Sequence, residues 1–555
     1  MFFILAFVAA ILAQVTPPPT PPPLGEPAPT ASPSPTPTGP VLTVSMQAVN
    51  LNPVQQRTIS VGGAAPPLTA TLDRKLVNVA IDSSNTSVTV TATQATGSDV
   101  LHLVDANGAR ADVTVRVAFN AGTIVPQTTL RVTGAPADSD WLAKQVQSFV
   151  TRLTQALPGT QTKIGQIATP VSALAPGAQT QFSIPVQITD PTGATFDQNG
   201  TTVVNVQNVA LDPFAPPLLF YDDDPEHVSG DGPLFRGTVA AAQPVRLYYY
   251  HDATTDPRRI AVVLTTASQD PTSVQAIDAT VGPNADVMHV GDAATRQFLV
   301  DKSHGQGVVV DLQQNQPYVL NDLPLPPRQL VAGTVDLRVL SGGPIAVTVI
   351  AYTAGVDPVA LLNAPLLAGD GHHRSGVFTI AGFGIDTLAF TAGAADPKVV
   401  IGDREPTPPS VDAGGAGHDY GDYGVTHTID VTLNNPGDAA VAAYLYFKPL
   451  AGVTRATFLV DGNLVQLGCM RVPEPYQVAA YTVGPHQTLR SYVQTMTDGG
   501  SFYPVEIGVT QTTPQPSAPP IIAPDGCFPK PATTEEPSPE PSESPSAPPS
   551  PARTP

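Results

Sequence analysis

Strict alternation of apolar and polar residues recurs along this chain, and it leaves few folds open. LVNVAI, SVTVTA and DVTVRV each place Val or Ile at every second position. Successive side chains of an extended strand point to opposite faces, so this rhythm writes one buried and one solvated face. The composition agrees. Charged residues are 13% and aromatic residues 6% of 555, with 63 prolines and 45 glycines. Strands and turns are favoured by that balance; helices want more Leu, Glu, Lys and Arg. The expected class is mainly β, and the length suits several domains of ordinary size.

The N-terminus reads MFFILAFVAAILAQ. Its apolar run is the length of a signal-peptide core and too short to span a bilayer as a helix. Residues 1–13 are expected to be a signal peptide, with Ala13 at the cleavage point, and an uncleaved anchor is the alternative. Residues 14–40 form a Pro/Thr-rich linker and residues 514–555 a Pro/Ser/Glu-rich tail. Such proline density gives extended spacers, and the tail, almost devoid of apolar residues, is expected to be disordered. The formal charge of −20 argues against nucleic acid and against an anionic membrane surface as partners. Cys469 and Cys527 are the two cysteines. In an exported protein they are expected to pair, stabilising the fold by about 4 kcal/mol through the closed loop; two free thiols are the alternative.

Residues 41–120 read as a β domain closed by the hairpin DVLHLVDANGARADVTVRV, with Asn107-Gly108 at its turn. This block resembles bacterial Ig-like domains, and it is also similar to the N-terminal domain of pilus-formation secretins. The resemblance implies an all-β module without catalytic residues. Residues 121–212 read as a small α+β domain. SDWLAKQVQSFVTRLTQALPG supplies an amphipathic helix, with Ser139 as its cap and Pro158-Gly159 as its stop.

The second half carries an internal repeat. PYVLNDLPLPPRQ (317–329) matches PYQVAAYTVGPHQ (475–487), and RQFLVD (296–301) matches ATFLVD (456–461). IAVVLTTASQDPTSV (260–274) is set against IDVTLNNPGDAAV (429–441), and GGPIAVTV (342–349) against GGSFYPVEIGV (499–509). Two β-sandwich repeats are expected, 213–355 and 356–513. They resemble adhesion-type and Ig-like modules of bacterial surface proteins, and the first is also similar to a segment of uncharacterised secreted bacterial proteins. The fold class is therefore tandem Ig-like β-sandwiches with one small α+β domain, flanked by disordered tails.

YDDDPEHVSGDG (221–232) precedes the first copy, and VIGDREP (400–406) stands in the region read as corresponding before the second. Asp, Pro and Gly together favour a turn. The sharper alternative is a calcium site using Asp222, Asp223, Asp224 and Glu226, because calcium takes six to eight oxygens. The spacing fails the EF-hand pattern: His227 holds the glycine position and Pro233 the bidentate-acid position. His418, Asp422 and His427 in HDYGDYGVTH, with Asp419 among them, offer imidazole and carboxylate for zinc or copper, and GDGHHRSG adds His372 and His373. Tyr248 and Tyr250 share a strand face and could stack on sugar rings or partner side chains, or pack in a core. No G-x-S-x-G, Walker, H-E-x-x-H or C-x-x-C pattern occurs. The expectation is a non-enzymatic protein, secreted, periplasmic or on the cell surface, with a structural, adhesive or assembly role. Its expected partners are other envelope proteins or cell-surface glycans. A carbohydrate-binding array is the alternative, and a metal-dependent enzyme using the His/Asp loops the third reading.

Overall fold

The structure, a computed structural model, describes residues 41–167, 170–403, 407–412, 417–516 and Cys527. The segments expected to be a signal peptide and a linker, and nearly all of the tail, lie outside these residues. The chain divides into two compact units, Met1–Asn120 and Ala121–Pro555. Strands dominate both, with two α-helices among the described residues. None of the helices there is long and apolar enough to cross a membrane.

The described part of the first unit is a two-sheet sandwich. One sheet runs Thr43–Val44, Gln56–Gly62, Ser87–Ala92, Val77–Ile81; the other runs Ala48–Leu51, Arg110–Val117, Gly97–Val104, Thr69–Leu72. The alternation works as the sequence implies: Val88 and Val90 face Val113, Val115 and Val117 across a dry core. At the hairpin tip the Asp105 carboxylate accepts from the Asn107 and Ala109 amides, and Gly108 takes φ +80°, a left-handed conformation that glycine adopts without strain.

In the second unit two sandwiches share one topology. In the first repeat a sheet runs Leu218–Asp222, Val245–Ala253, Leu330–Ser341, Thr272–Asn284, Gly307–Leu312. In the second repeat the order is Ile385–Thr391, Thr426–Asn435, Gln487–Met496, Thr454–Val460, Asn463–Met470. In each set the first pair is parallel and the rest antiparallel. The facing sheets correspond as well: Gly232–Val239, Ile345–Tyr352, Arg258–Thr266, Tyr318–Leu325 against Lys398–Ile401, Val505–Thr510, Val441–Pro449, Tyr476–Val483. Even an irregularity recurs. Leu320 and Val478, each three residues after the Pro of a Pro-Tyr pair, are skipped in the ladder as bulges. A bulge bends its strand locally.

Several sequence expectations are corrected by this topology. RQFLVD lies inside a helix, Val287–Ser303, whereas ATFLVD lies in the strand Thr454–Val460. IAVVL and IDVTL belong to strands of different sheets, Arg258–Thr266 and Thr426–Asn435. FYDDD ends the strand Leu218–Asp222, while VIGD follows from Lys398–Ile401, whose counterpart is Gly232–Val239. The PY and GG landmarks do fall on equivalent strands, Tyr318–Leu325 with Tyr476–Val483 and Ile345–Tyr352 with Val505–Thr510.

The helix of the α+β segment, α1 (Ser139–Leu153), is capped by Asp138 rather than Ser139, its carboxylate accepting from the Asp140 and Trp141 amides. It ends at Leu153, short of Pro158-Gly159. The segment's strands are not a separate sheet. Gln127–Thr133 pairs with Gly307–Leu312 and so joins the segment to the first repeat's sheet, which Ser375–Thr379, from the region read as the second repeat, completes at eleven strands. The second helix, α2 (Val287–Ser303), fills the connection between Thr272–Asn284 and Gly307–Leu312. In the second repeat the same connection is a tight hairpin at Asp461-Gly462.

Candidate functional site

Three loops that stand out in the sequence converge at the seam between the two sandwich repeats. Asp222, at the end of its strand, is fully buried and faces His251, also fully buried, at 3.2 Å. His251 Nδ1 bonds the Pro225 carbonyl at 2.9 Å. The next residues interlock with GDGHHRSG. The Asp223 amide donates to the Arg374 carbonyl, the Glu226 amide to the Asp370 carboxylate, and the Asp370 amide to the Asp224 carboxylate. His373 sits between Glu226 at 2.8 Å and Asp370 at 2.7 Å. His227 pairs with Asp252 at 2.7 Å.

The expected calcium shell is therefore not what the structure builds. Asp222, Asp223, Asp224 and Glu226 turn to separate partners: the His251 ring and Ser375 hydroxyl, the Tyr221 hydroxyl, the Asp370 amide and the His373 ring respectively. Among the described residues no group of three or more His, Cys, Asp or Glu is arranged to hold a metal ion. The stretch is also more than a surface turn, since it ends a buried strand and clamps a second loop. Burial and the charges of Glu226 and Asp222 push the Asp223 carboxyl well above the usual range. Asp370 goes the other way: the His373 ring and three backbone amides outweigh burial and hold it far down.

HDYGDYGVTH meets this cluster through Arg374, which donates to the Tyr420 carbonyl at 2.7 Å and lies 3.8 Å from Asp419. The expected metal trio is split. His418 is exposed beside Tyr420. Asp422 and His427 are buried together at 3.4 Å, with Asp386 on the other side of the ring at 3.9 Å. Burial alone would discharge His427, but Asp386 and Asp422 outweigh it and hold its pKa at about 9. Asp419 is fully buried, and burial drives its carboxyl well up.

Tyr248 and Tyr250 are corrected as a binding platform. They do share a face, but it is buried, at 6% and 7% exposure, in an aromatic cluster with Tyr221, Phe378, Val290 and Val425. Tyr249 takes the opposite face into the main core. The Gly499-Gly500 turn of the second repeat covers both rings, so no sugar can reach them.

Sequence reasoning missed the ions that lock the seam. Arg246, buried in VRLYYY, holds Asp336 at 2.7 Å and donates to the Gly424 carbonyl and the Thr426 hydroxyl of the second repeat, each at 2.8 Å. Lys302 reaches Asp336 at 2.7 Å, and the two cations outweigh burial to hold the Asp336 carboxyl below the usual range. A lone charge inside an apolar strand of a charge-poor chain is the signal that could have found them, since buried charges are costly unless paired. Cys469 and Cys527 are joined by a disulfide, with Met288 of α2 packed against it and the Arg455 Nε donating to Cys527 Sγ at 3.2 Å.

No family model matches this chain, and no curated protein matches it. Among solved structures it is similar to human mucin-like protocadherin EC1-2, with 12% identity over 31% of this chain and 100% of that one, at a TM-score of 0.13. It is also similar to the human desmocollin-1 ectodomain, with 10% identity over 36% of this chain and 48% of that one, at 0.12. A third is a Bacteroides ovatus protein of a mixed-linkage glucan utilization locus, SGBP-B, in complex with a mixed-linkage heptasaccharide. The identity is 9%, over 55% of this chain and 76% of that one, at 0.15. Scores this low define no common overall arrangement.

Proposed function

We propose that the chain is an exported, non-catalytic envelope or extracellular protein in which the two welded sandwiches serve a structural or adhesive role. One observation carries this reading: the seam spends its buried ions and aromatics on joining the repeats. Arg246 and Lys302 both hold Asp336, Arg246 also reaches the second repeat, and Tyr248 and Tyr250 are sealed beneath it. Residues of the types that do chemistry are here joinery. The disulfide supports export, because such bonds persist outside reducing compartments.

The test is thiol trapping during fractionation. Source cells are alkylated before lysis, and the protein is followed in cytoplasm, envelope and medium. The expected result is protein in the envelope or medium with both cysteines inaccessible, together with loss of surface attachment or envelope integrity on deletion. A cytoplasmic pool with both thiols free would sink the reading. The carbohydrate-binding alternative loses its two tyrosines, and a different place in the fold takes it up.

A further inference from the structure

A cleft of about 740 Å³ opens where α1 and α2 flank the strands Thr272–Asn284 and Tyr318–Leu325, within the range of small-ligand sites. Two acids stand in its lining, Asp278 and Asp301. Asp301 stands in the last turn of α2, where the helix dipole disfavours an acid. It is 4% exposed; Gln306 Nε2 donates to its Oδ1 at 3.0 Å, no donor among the described residues meets its Oδ2 in good hydrogen-bond geometry, and the Gln297 and Trp141 side chains stand near enough to favour its charged form. Burial pushes this carboxyl up to about 7. Asp278 lines the same cleft, and burial raises its carboxyl as well.

Around them stands a polar network of both signs. Asn321 Nδ2 donates to Asp278 Oδ1 at 3.1 Å and to the Thr280 hydroxyl at 2.8 Å, and that hydroxyl also meets the Tyr249 phenol at 2.7 Å. Trp141 forms part of the wall. Arg152 and Arg296 are exposed on the lining and make no ion pair among the described residues. The second repeat has no counterpart of this cleft, because a tight hairpin stands there in place of α2.

We propose that this cleft is a binding site for a short saccharide. A carboxyl able to donate or accept, an amide, a hydroxyl and an aromatic wall match a ligand of clustered hydroxyls with small apolar faces. Asp301 Oδ2, buried and met by no well-placed donor among the described residues, is the group that such a hydroxyl would satisfy, since an unmet buried polar atom is costly. Arg152 and Arg296 on the lining extend the match to sugars that carry a carboxylate. The inference rests on the binding side of the reading above and not on export, so fractionation and ligand binding can fail separately.

The experiment uses the full chain, with calorimetry and saturation-transfer NMR against three probes: cellotetraose, tetra-N-acetylchitotetraose and tetragalacturonate. At least one is expected to bind. Asp301→Asn and Asn321→Ala should each weaken it by about tenfold or more, and Arg152→Ala should weaken tetragalacturonate more than a neutral probe. Ser148→Trp, an exposed position on the lining, obstructs the cleft without touching the network and serves should the buried variants fold poorly. No binding by any probe at millimolar concentration overturns the proposal. So does binding that survives Ser148→Trp undiminished.

Discussion

At the scale of single residues, His427 shows how a buried titratable group can tie stability to pH. Its ring is 2% exposed between Asp386 and Asp422, and they hold its pKa at about 9 against an ordinary 6.5. A base whose folded pKa lies above its unfolded value stabilises fully below the unfolded pKa and loses that contribution as pH rises through the folded one. Stability should therefore decline between pH 6.5 and 9, by up to about 3 kcal/mol at the usual 1.36 kcal/mol per unit. Urea midpoints measured across that window should fall for the natural chain and fall less steeply for His427→Gln, where only the raised histidines His102, His227 and His251 remain, and the variant should be the weaker protein at pH 6.5. A natural chain indifferent to pH there would mean that the imidazole is not charged in the fold.

Elements differ in how much of their role the sequence announces. The helix α1 keeps an apolar stripe, Trp141, Leu142, Val146 and Val150, against a polar face, so its period is legible. The helix α2 is buried nearly all round, with Met288, Val290, Gly291, Ala293, Ala294, Phe298 and Leu299 on several faces. Without a stripe, RQFLVD carries no period to separate helix from strand, and its likeness to ATFLVD misleads. The strands were readable because one face of each repays alternation. Their pairing was readable only where turn residues marked it, as at the two Pro-Tyr strands. The seam was less so: the acidic and histidine-rich loops stand out in the sequence, but contacts across roughly 150 residues decide whether carboxylates meet a metal or a backbone amide. Gly291 tests the fit of α2. Within a helix, Gly→Ala ordinarily stabilises by about 1 kcal/mol. Here a Cβ would run into the backbone of Gly499, which cannot swing aside as a side chain would. Gly291→Ala should thus reverse the sign and cost about 2 kcal/mol or more, seen as a lowered melting temperature. A stabilised variant would show that α2 and the Gly499 turn are not in close contact.

At the scale of the whole molecule, the disulfide acts on one unit and not on the other. Cys469 and Cys527 close 58 residues of the second unit, and Met1–Asn120 holds neither. Cross-linking restricts the unfolded chain, which for a loop of this length is worth about 4 kcal/mol. The same bridge sits against Met288 at the start of α2 and receives the Arg455 guanidinium, so it closes over the helix that joins the repeats. Reduction should then loosen that junction as well as lengthen the free chain end. In heat unfolding, reductant should lower the melting of the sandwiches reported by near-ultraviolet signals from their tyrosines, since all 14 of the chain lie at or beyond residue 221. The Cys469→Ser and Cys527→Ser double variant should behave as the reduced protein does, and reductant should not shift it further. Loss of the reductant effect in the variant, without a matching loss of stability, would separate the bond's chemistry from its mechanical part. It would place the hold on α2 in Arg455 and its ion pairs to Asp286 and Asp292, both at 3.7 Å.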